Sequence, residues 1–549
     1  MSRPAAGRWV LAADGVAVVL LSLLPVWAWR REGAVATPEL PAFMADTDVY
    51  IFGPDAGAWA QNALALHQGR LADLDPHRLP TWTMFTAAAM ELTGWDVARS
   101  GHLVNRVEHL LLGPVLYALG RALGLNVLAF AAAALVVLQP TLLASSSRFG
   151  VDPTVTLMVP LMLLTAAWAG RWWWSAPLGG ALAALTMISH LTALAFPLCG
   201  LLLCAASARG AWRGLAAVLL YAGAAWGVVH LTFDVFPMLP RDFFTNALAE
   251  GVAPTSDPSI GTQAASRDAA VELVRANAGH ALDEAIRFVV RPFQPLFLPW
   301  AATVGLVWAG LVGPRPFSPR PDDDTRWRWV GRGLVALVEG VAVASALAPL
   351  LAFAAAKSPT RYSENLLPIA ALVVMRGAAA VVAAGAALAS WWPAVAARRG
   401  WGELAVGAVL TASWVAGEWR EPHQRAPMMP SMTDRNALLV GRVLAEHFEP
   451  GGGAASALRE VLPYAGLRYC PNTVCPFSEG EQAYRSCVEV LRKECPGEGP
   501  IPLVVTGSLT VEQRPALRVK FEDWVGTRLE PVAEVAGSTI YAIPRTGAL

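Results

Sequence analysis

The sequence predicts a polytopic bundle of transmembrane helices followed by a small extracytoplasmic α/β domain. Three observations carry this. The 549-residue chain is 55% hydrophobic and only 15% charged, with a mean hydropathy of +0.44, whereas soluble domains are about a quarter charged. Apolar runs of bilayer length recur along most of it. After about residue 418 the character changes to a polar tail that holds four of the six cysteines. Forty-two basic residues balance 42 acidic ones and are scattered, so nothing points to nucleic acid. Twenty-two tryptophans against eight tyrosines suit a membrane protein, because indole rings favour the headgroup zone.

The first apolar run, 9–29, has the length of one crossing and no small-residue cleavage site clearly ends it, so it reads as an uncleaved span rather than a signal peptide. Later runs bring the expected total to roughly eleven, at 103–121, 124–143, 152–169, 175–190, 191–207, 215–233, 293–312, 333–355, 365–390 and 403–417. With the N-terminus in the cytoplasm, the loop GPRPFSPRPDDDTRWRWVGR at 313–332, with five arginines, also falls there, as do ARGAWR at 208–213 and AARRG at 396–400. Arg30 and Arg31 go against this parity, although long loops obey the rule poorly. Arg376 falls inside its span, which calls for a polar interior or a break in the helix. The expected domains are therefore a membrane domain, 1–417, with large outer loops at 30–102 and 234–292, and an extracytoplasmic domain, 418–549. The second outer loop holds an amphipathic pattern at 268–289 that suits the membrane surface.

Cys199 and Cys204 lie in an apolar run and read as packing residues. Cys470, Cys475, Cys487 and Cys495 lie in the tail. An oxidising compartment makes them disulfide candidates rather than zinc ligands, and their connectivity cannot be read from spacing. Within the tail, RNALLVGRVLAEHF at 435–448 has helical periodicity, while IPLVVTG at 501–507 and STIYAIP at 538–544 read as strands.

Chemistry is expected on the outer face. DTDVYIFGPDAGAW at 46–59 places Asp46, Asp48 and Asp55 just beyond the first span. Asp55 opens the helical pattern DAGAWAQNALALHQG, and a helix cap would account for it alone. Capping does not account for Asp46 and Asp48, which a solvated acidic loop would. LDPHRLPTW at 74–82 brings His77 and Arg78 to the point where the chain returns to the membrane, where a cation either anchors a headgroup or fixes a lipid phosphate. SSSRFGVDP at 145–153 carries Arg148 and Asp152, a site or a surface ion pair. KSPTRYSENLLP at 357–368 carries Lys357, Arg361 and Tyr362 at the mouth of a span. His190 falls near the outer end of another span, where a packed, hydrogen-bonded role is the commoner one.

In combination these segments resemble the GT-C integral-membrane glycosyltransferases, and most closely the branch of protein O-mannosyltransferases and lipid A aminoarabinose transferases. The matching pattern is Asp55, Trp59, Ala63 and Gly69, then the return at HRLP and the late RYSENLLP. The acidic doublet common at the first site is Asp-Ala here, and the paired prolines of the return are Leu-Pro.

The resemblance implies an inverting transfer of a sugar from a polyprenyl-phosphate-linked donor to an acceptor lipid, glycan or protein, among membrane lipids on the outer face. It implies Asp55 as the base, with Asp48 next, and phosphate or substrate contacts from Arg78, His77, Asp152, His190, Lys357, Arg361 and Tyr362. Some relatives use a divalent cation and others do not, so the metal is left open. The implied location is a multi-pass protein of a bacterial inner membrane. The alternative is a transporter or flippase of a lipid-linked or amphipathic substrate, which should show internal hydropathy repeats and interrupted helices; no clear repeat is present. A third reading makes the spans an anchor for a binding tail.

Overall fold

The computed structural model describes residues 4–36, 53–75, 78, 80–125, 127–147, 149–170, 172–189, 193, 196–207, 211–236, 367–388, 399–418, 432–456, 459–470, 480–506 and 515–547. The amphipathic pattern at 268–289 and the spans expected at 293–312 and 333–355 lie outside them. The chain is mainly helical, and its contacts divide it into two units, one of residues 1–45, 106–146 and 151–426, the other of 46–105, 147–150 and 427–549.

Among the described residues the first unit is helical. Helix α1 is Pro4–Ala36; α2, Gly53–His67, and α3, Pro80–Thr93, belong to the second unit. Then come α4 (Val97–Ala122), α5 (Leu128–Val137), α6 (Pro140–Ser147), α7 (Asp152–Trp168), α8 (Ser175–Met187), α9 (Phe196–Ser207), α10 (Ala211–Val235), α11 (Leu367–Leu388) and α12 (Arg399–Glu418). Among the described residues three helices are long and apolar enough to cross a membrane, at Ala12–Trp29, Trp212–Val235 and Leu367–Gly385. The span expected over 124–143 is instead two short helices. Pro140 has no N–H to continue α5 and instead begins α6. Arg376 does not break its helix, because α11 runs unbroken past it and the side chain is buried.

Small residues set the closest helix contacts, as expected where packing rather than water exclusion joins helices. Gly179 and Gly180 on α8 and Gly200 on α9 lie against Tyr221 of α10, and a Cβ on Gly180 would overlap the Tyr221 carbonyl. The Tyr221 hydroxyl donates to the Pro197 carbonyl at 3.0 Å. On α10, Trp212, Leu219, Trp226 and Leu231 are exposed, a distribution that suits contact with lipid tails.

The second unit contains a five-stranded sheet. Its elements are α13 (Met432–His447), β1 (Gly453–Ser456), β2 (Arg468–Tyr469), α14 (Glu481–Glu494), β3 (Ile501–Thr506), α15 (Pro515–Gly526), β4 (Pro531–Val535) and β5 (Ser538–Ile543). The order is β2-β1-β3-β5-β4, parallel from β2 to β3 and antiparallel beyond. Because successive strand residues face opposite ways, Ala454, Val504 and Ile540 meet α13 through Ala437, Val440 and Leu444. Ala455, Leu503 and Ile543 meet α14 and α15 through Val488, Leu491, Phe521 and Val525. Helices on both faces explain why IPLVVT reads as a continuous apolar run rather than an alternating one. The helix and both strands anticipated from the tail's periodicity are α13, β3 and β5.

Cys470, just after β2, is disulfide-bonded to Cys495, which ends α14, across 25 residues of sequence. Cys487 is also disulfide-bonded, its partner lying outside the described residues, as does Cys475. Cys199 and Cys204 are buried and form no disulfide. Gly453 is required beside the disulfide, since a Cβ there would stand 2.7 Å from Cys470 Sγ and from Pro496 Cδ. Replacing Cys470 and Cys495 by serine should lower the unfolding free energy of this unit by about 3.5 kcal/mol from loop closure, read as a shift in denaturant midpoint without reductant.

Candidate active site

Helix α2 is rich in alanine and presents its apolar face to α3. Trp59 and Asn62 are buried on it. Trp82, fully buried on α3, meets Trp59 edge-on at 6.1 Å and Phe149 at 4.6 Å. Its indole N–H donates to Asn105 Oδ1 at 2.7 Å, so this deeply buried aromatic keeps its polar edge satisfied. His102 closes the group against Phe149 at 6.2 Å. Gly101 leaves room for the Phe149 ring, which occupies the space a side chain would take.

Asn62 fixes the return turn to this helix. Its Oδ1 accepts from the Asp75 N–H at 2.8 Å, and its Nδ2 donates to the carbonyls of Asp75 at 3.1 Å and Arg78 at 3.5 Å. The Arg78 N–H donates in turn to the Asp75 carbonyl at 3.1 Å. The result is that the Arg78 guanidinium stands over the Trp59 ring, 5.8 Å from its centre, within cation–π reach. Residues 55, 59 and 62 share one face of α2, being four and seven apart. The described helix is Gly53–His67, so Asp55 lies within it near its N-terminal end. Asn62→Ala leaves two or three backbone groups without their partner and should cost about 1–3 kcal/mol, measurable by chemical denaturation of the purified protein.

Of the other anticipated residues, Asp152 is half-buried at the start of α7 in the first unit, its carbonyl accepting from the Thr156 hydroxyl at 2.8 Å. Asp46, Asp48, His77, Arg148, His190, Lys357, Arg361 and Tyr362 lie outside the described residues. No group of three or more His, Cys, Asp or Glu stands close enough to hold a metal among the described residues.

A second polar group, not anticipated, lies in the first unit. Glu108 is buried with its carboxyl oxygens 2.7 and 2.9 Å from the Thr154 hydroxyl. His109 is buried with Nε2 2.9 Å from the Val137 carbonyl; a carbonyl only accepts, so Nε2 carries the proton. The Arg106 guanidinium lies 4.1 Å over the Trp29 ring, whose N–H donates to Ser146 Oγ at 3.2 Å. The signal was available: RVEH at 106–109 puts three ionisable residues into an apolar run.

No protein-family profile matches the sequence, and no curated protein does. Solved structures do match the fold. ArnT from Cupriavidus metallidurans bound to undecaprenyl phosphate aligns at a TM-score of 0.55 and 15% identity over 96% of this chain and 97% of that one. The apo form of that protein aligns at 0.53 and 16%, over 98% of each chain. The oligosaccharyltransferase AglB from Archaeoglobus fulgidus, with an inhibitory peptide and a dolichol-phosphate, aligns at 0.49 and 11%, over 89% of this chain and 69% of that one. The ArnT likeness shows a shared fold across nearly the whole chain.

Proposed function

We propose that this chain is a membrane glycosyltransferase that moves a sugar from a polyprenyl-phosphate-linked donor to an acceptor at the outer face of the membrane. The observation that carries the reading is the Arg78 guanidinium seated over Trp59, on the helix face that Asp55 opens. These are matching motif positions, and Trp59 and Arg78 lie together in a chain whose fold resembles that of a protein crystallised with undecaprenyl phosphate. The disulfide of the tail supports an extracytoplasmic site.

The chemistry follows from what a single displacement requires. The acceptor hydroxyl oxygen attacks the anomeric carbon, and its proton passes to the Asp55 carboxylate, which acts as general base. The bond from that carbon to the lipid-phosphate oxygen breaks on the opposite face, so configuration inverts. The departing phosphate gains negative charge, and Arg78 stabilises it in place. Asp48 is the reserve base; His77, His190, Lys357, Arg361 and Tyr362 are the further phosphate contacts, and Asp152 the acceptor contact.

Purified protein in nanodiscs, given labelled polyprenyl-phosphate sugars and candidate lipid, glycan and peptide acceptors, should transfer label with inversion. If no donor yields transfer while reconstituted vesicles move a lipid-linked sugar between leaflets, the transporter reading replaces this one.

A further inference from the structure

The sheet ends at β2, whose outer edge has no neighbouring strand among the described residues. An edge of this kind presents unpaired carbonyls that must be covered. Here α2 covers it: Gln61 Nε2 donates to the Leu467 carbonyl at 2.9 Å. Arg468, one residue after Leu467, and Arg70, nine after Gln61, both pair with Asp73 through Oδ2, at 3.0 and 2.7 Å. Arg70 also donates to Gln68 Oε1. The turns Arg459–Val461 and Pro463–Ala465 pack on the same helix. Burial first, and then the neighbouring Arg468, lowers the affinity of the Arg70 guanidinium for its proton, while Asp73 opposes both.

The gripping strand is stiff. Arg468 N–H bonds the Gly452 carbonyl at 2.8 Å and Cys470 N–H the Ala454 carbonyl at 3.0 Å, while the Gly466 carbonyl accepts from Gly451 N–H at 2.8 Å. Gly466 turns the chain into the strand at φ 64°, and the Cys470–Cys495 bond ties the far end to α14. Gln61 lies two residues after Trp59 and one before Asn62, so whatever fixes Gln61 also fixes the helix that seats Arg78.

We infer that Gln61, Asp73 and Arg468 are positioning residues, through which the C-terminal domain sets the place of the helix bearing Asp55 and Trp59. In its catalytic part this rests on the transferase reading; in its structural part it does not. The domain is therefore a working part of the site rather than a separate binding module. A displacement of about 1 Å at a reacting group can cost about a hundredfold in rate, so a loosened α2 acts on kcat rather than on donor affinity.

The test compares the full-length protein with Gln61→Ala/Arg468→Ala, with Arg468→Lys, and with Glu489→Ala, which removes only an exposed ion pair to Arg492. Peptide-level hydrogen exchange over 53–67 should quicken by roughly ten- to a hundredfold in the double variant, stay near wild type in Glu489→Ala and largely recover in Arg468→Lys. Transfer by the double variant should lose about a hundredfold in kcat with donor KM nearly unchanged. Unchanged exchange over 53–67 overturns the grip. Quickened exchange with wild-type kcat overturns the positioning role and leaves only docking. A wild-type protein without transfer activity counts against the transferase reading alone, because the exchange result still decides the grip.

Discussion

Asp55→Asn should lower kcat for sugar transfer by about 10²–10⁴-fold, the usual contribution of a positioned general base, and leave donor KM nearly unchanged. The substitution discriminates because asparagine caps and opens helices about as well as aspartate does. If Asp55 only started α2, the variant would fold and turn over like wild type. A carboxylate in the first turn of a helix contributes about 0.3–1 kcal/mol through the dipole, so removing the charge should shift the melting temperature only slightly. A base is different. The amide cannot take the acceptor's proton, and no change of packing compensates. Steady-state transfer rates at saturating donor, measured beside thermal unfolding of the same preparation, separate the two roles. A rate within threefold of wild type would move the assignment to Asp48 or remove it from this loop.

Part of this site was legible in the sequence. A carboxylate and a tryptophan four apart in an alanine-rich run, followed by HRLP, mark a helix and a return turn by local chemistry alone, and both are present. Asn62 was not legible as a site residue. An asparagine in a helix reads as a surface position, and its role depends on a backbone turn 13 residues away. Gln61 and Leu467 are 406 residues apart, and a carbonyl exposed at a sheet edge leaves no trace in composition. The break between α5 and α6, inside the span expected at 124–143, escaped the sequence for a related reason. A 19-residue hydropathy window averages across Pro140 and registers apolarity, whereas the chain responds to a missing N–H and a steric restriction on the residue before it.

Arg78→Gln should cost about 10²–10³-fold in kcat, the range for removing one donor aimed at charge that develops in a transition state. Magnitudes decide between this and a packing role. The guanidinium over Trp59 is 5.8 Å from the ring centre and half-buried, and such a contact is worth about 0.5–1 kcal/mol, less than a tenfold effect on any equilibrium. If the contact were the whole function of Arg78, stability would fall by that amount and the rate would follow it, no further. If the cation holds the departing phosphate, the rate falls at least ten times more than stability accounts for. Arg78→Lys sharpens the comparison, because it keeps the charge but loses the planar fork that matches a phosphate and stacks on a ring. The lysine variant should recover part of the lost rate and not the whole. Addition of guanidinium ion to Arg78→Ala offers a further reading: a rise in transfer that saturates, with no change in melting temperature, would locate the missing charge at the phosphate rather than in the fold. Equal rates for all three variants would take Arg78 out of the mechanism and leave it as a stacking partner of Trp59.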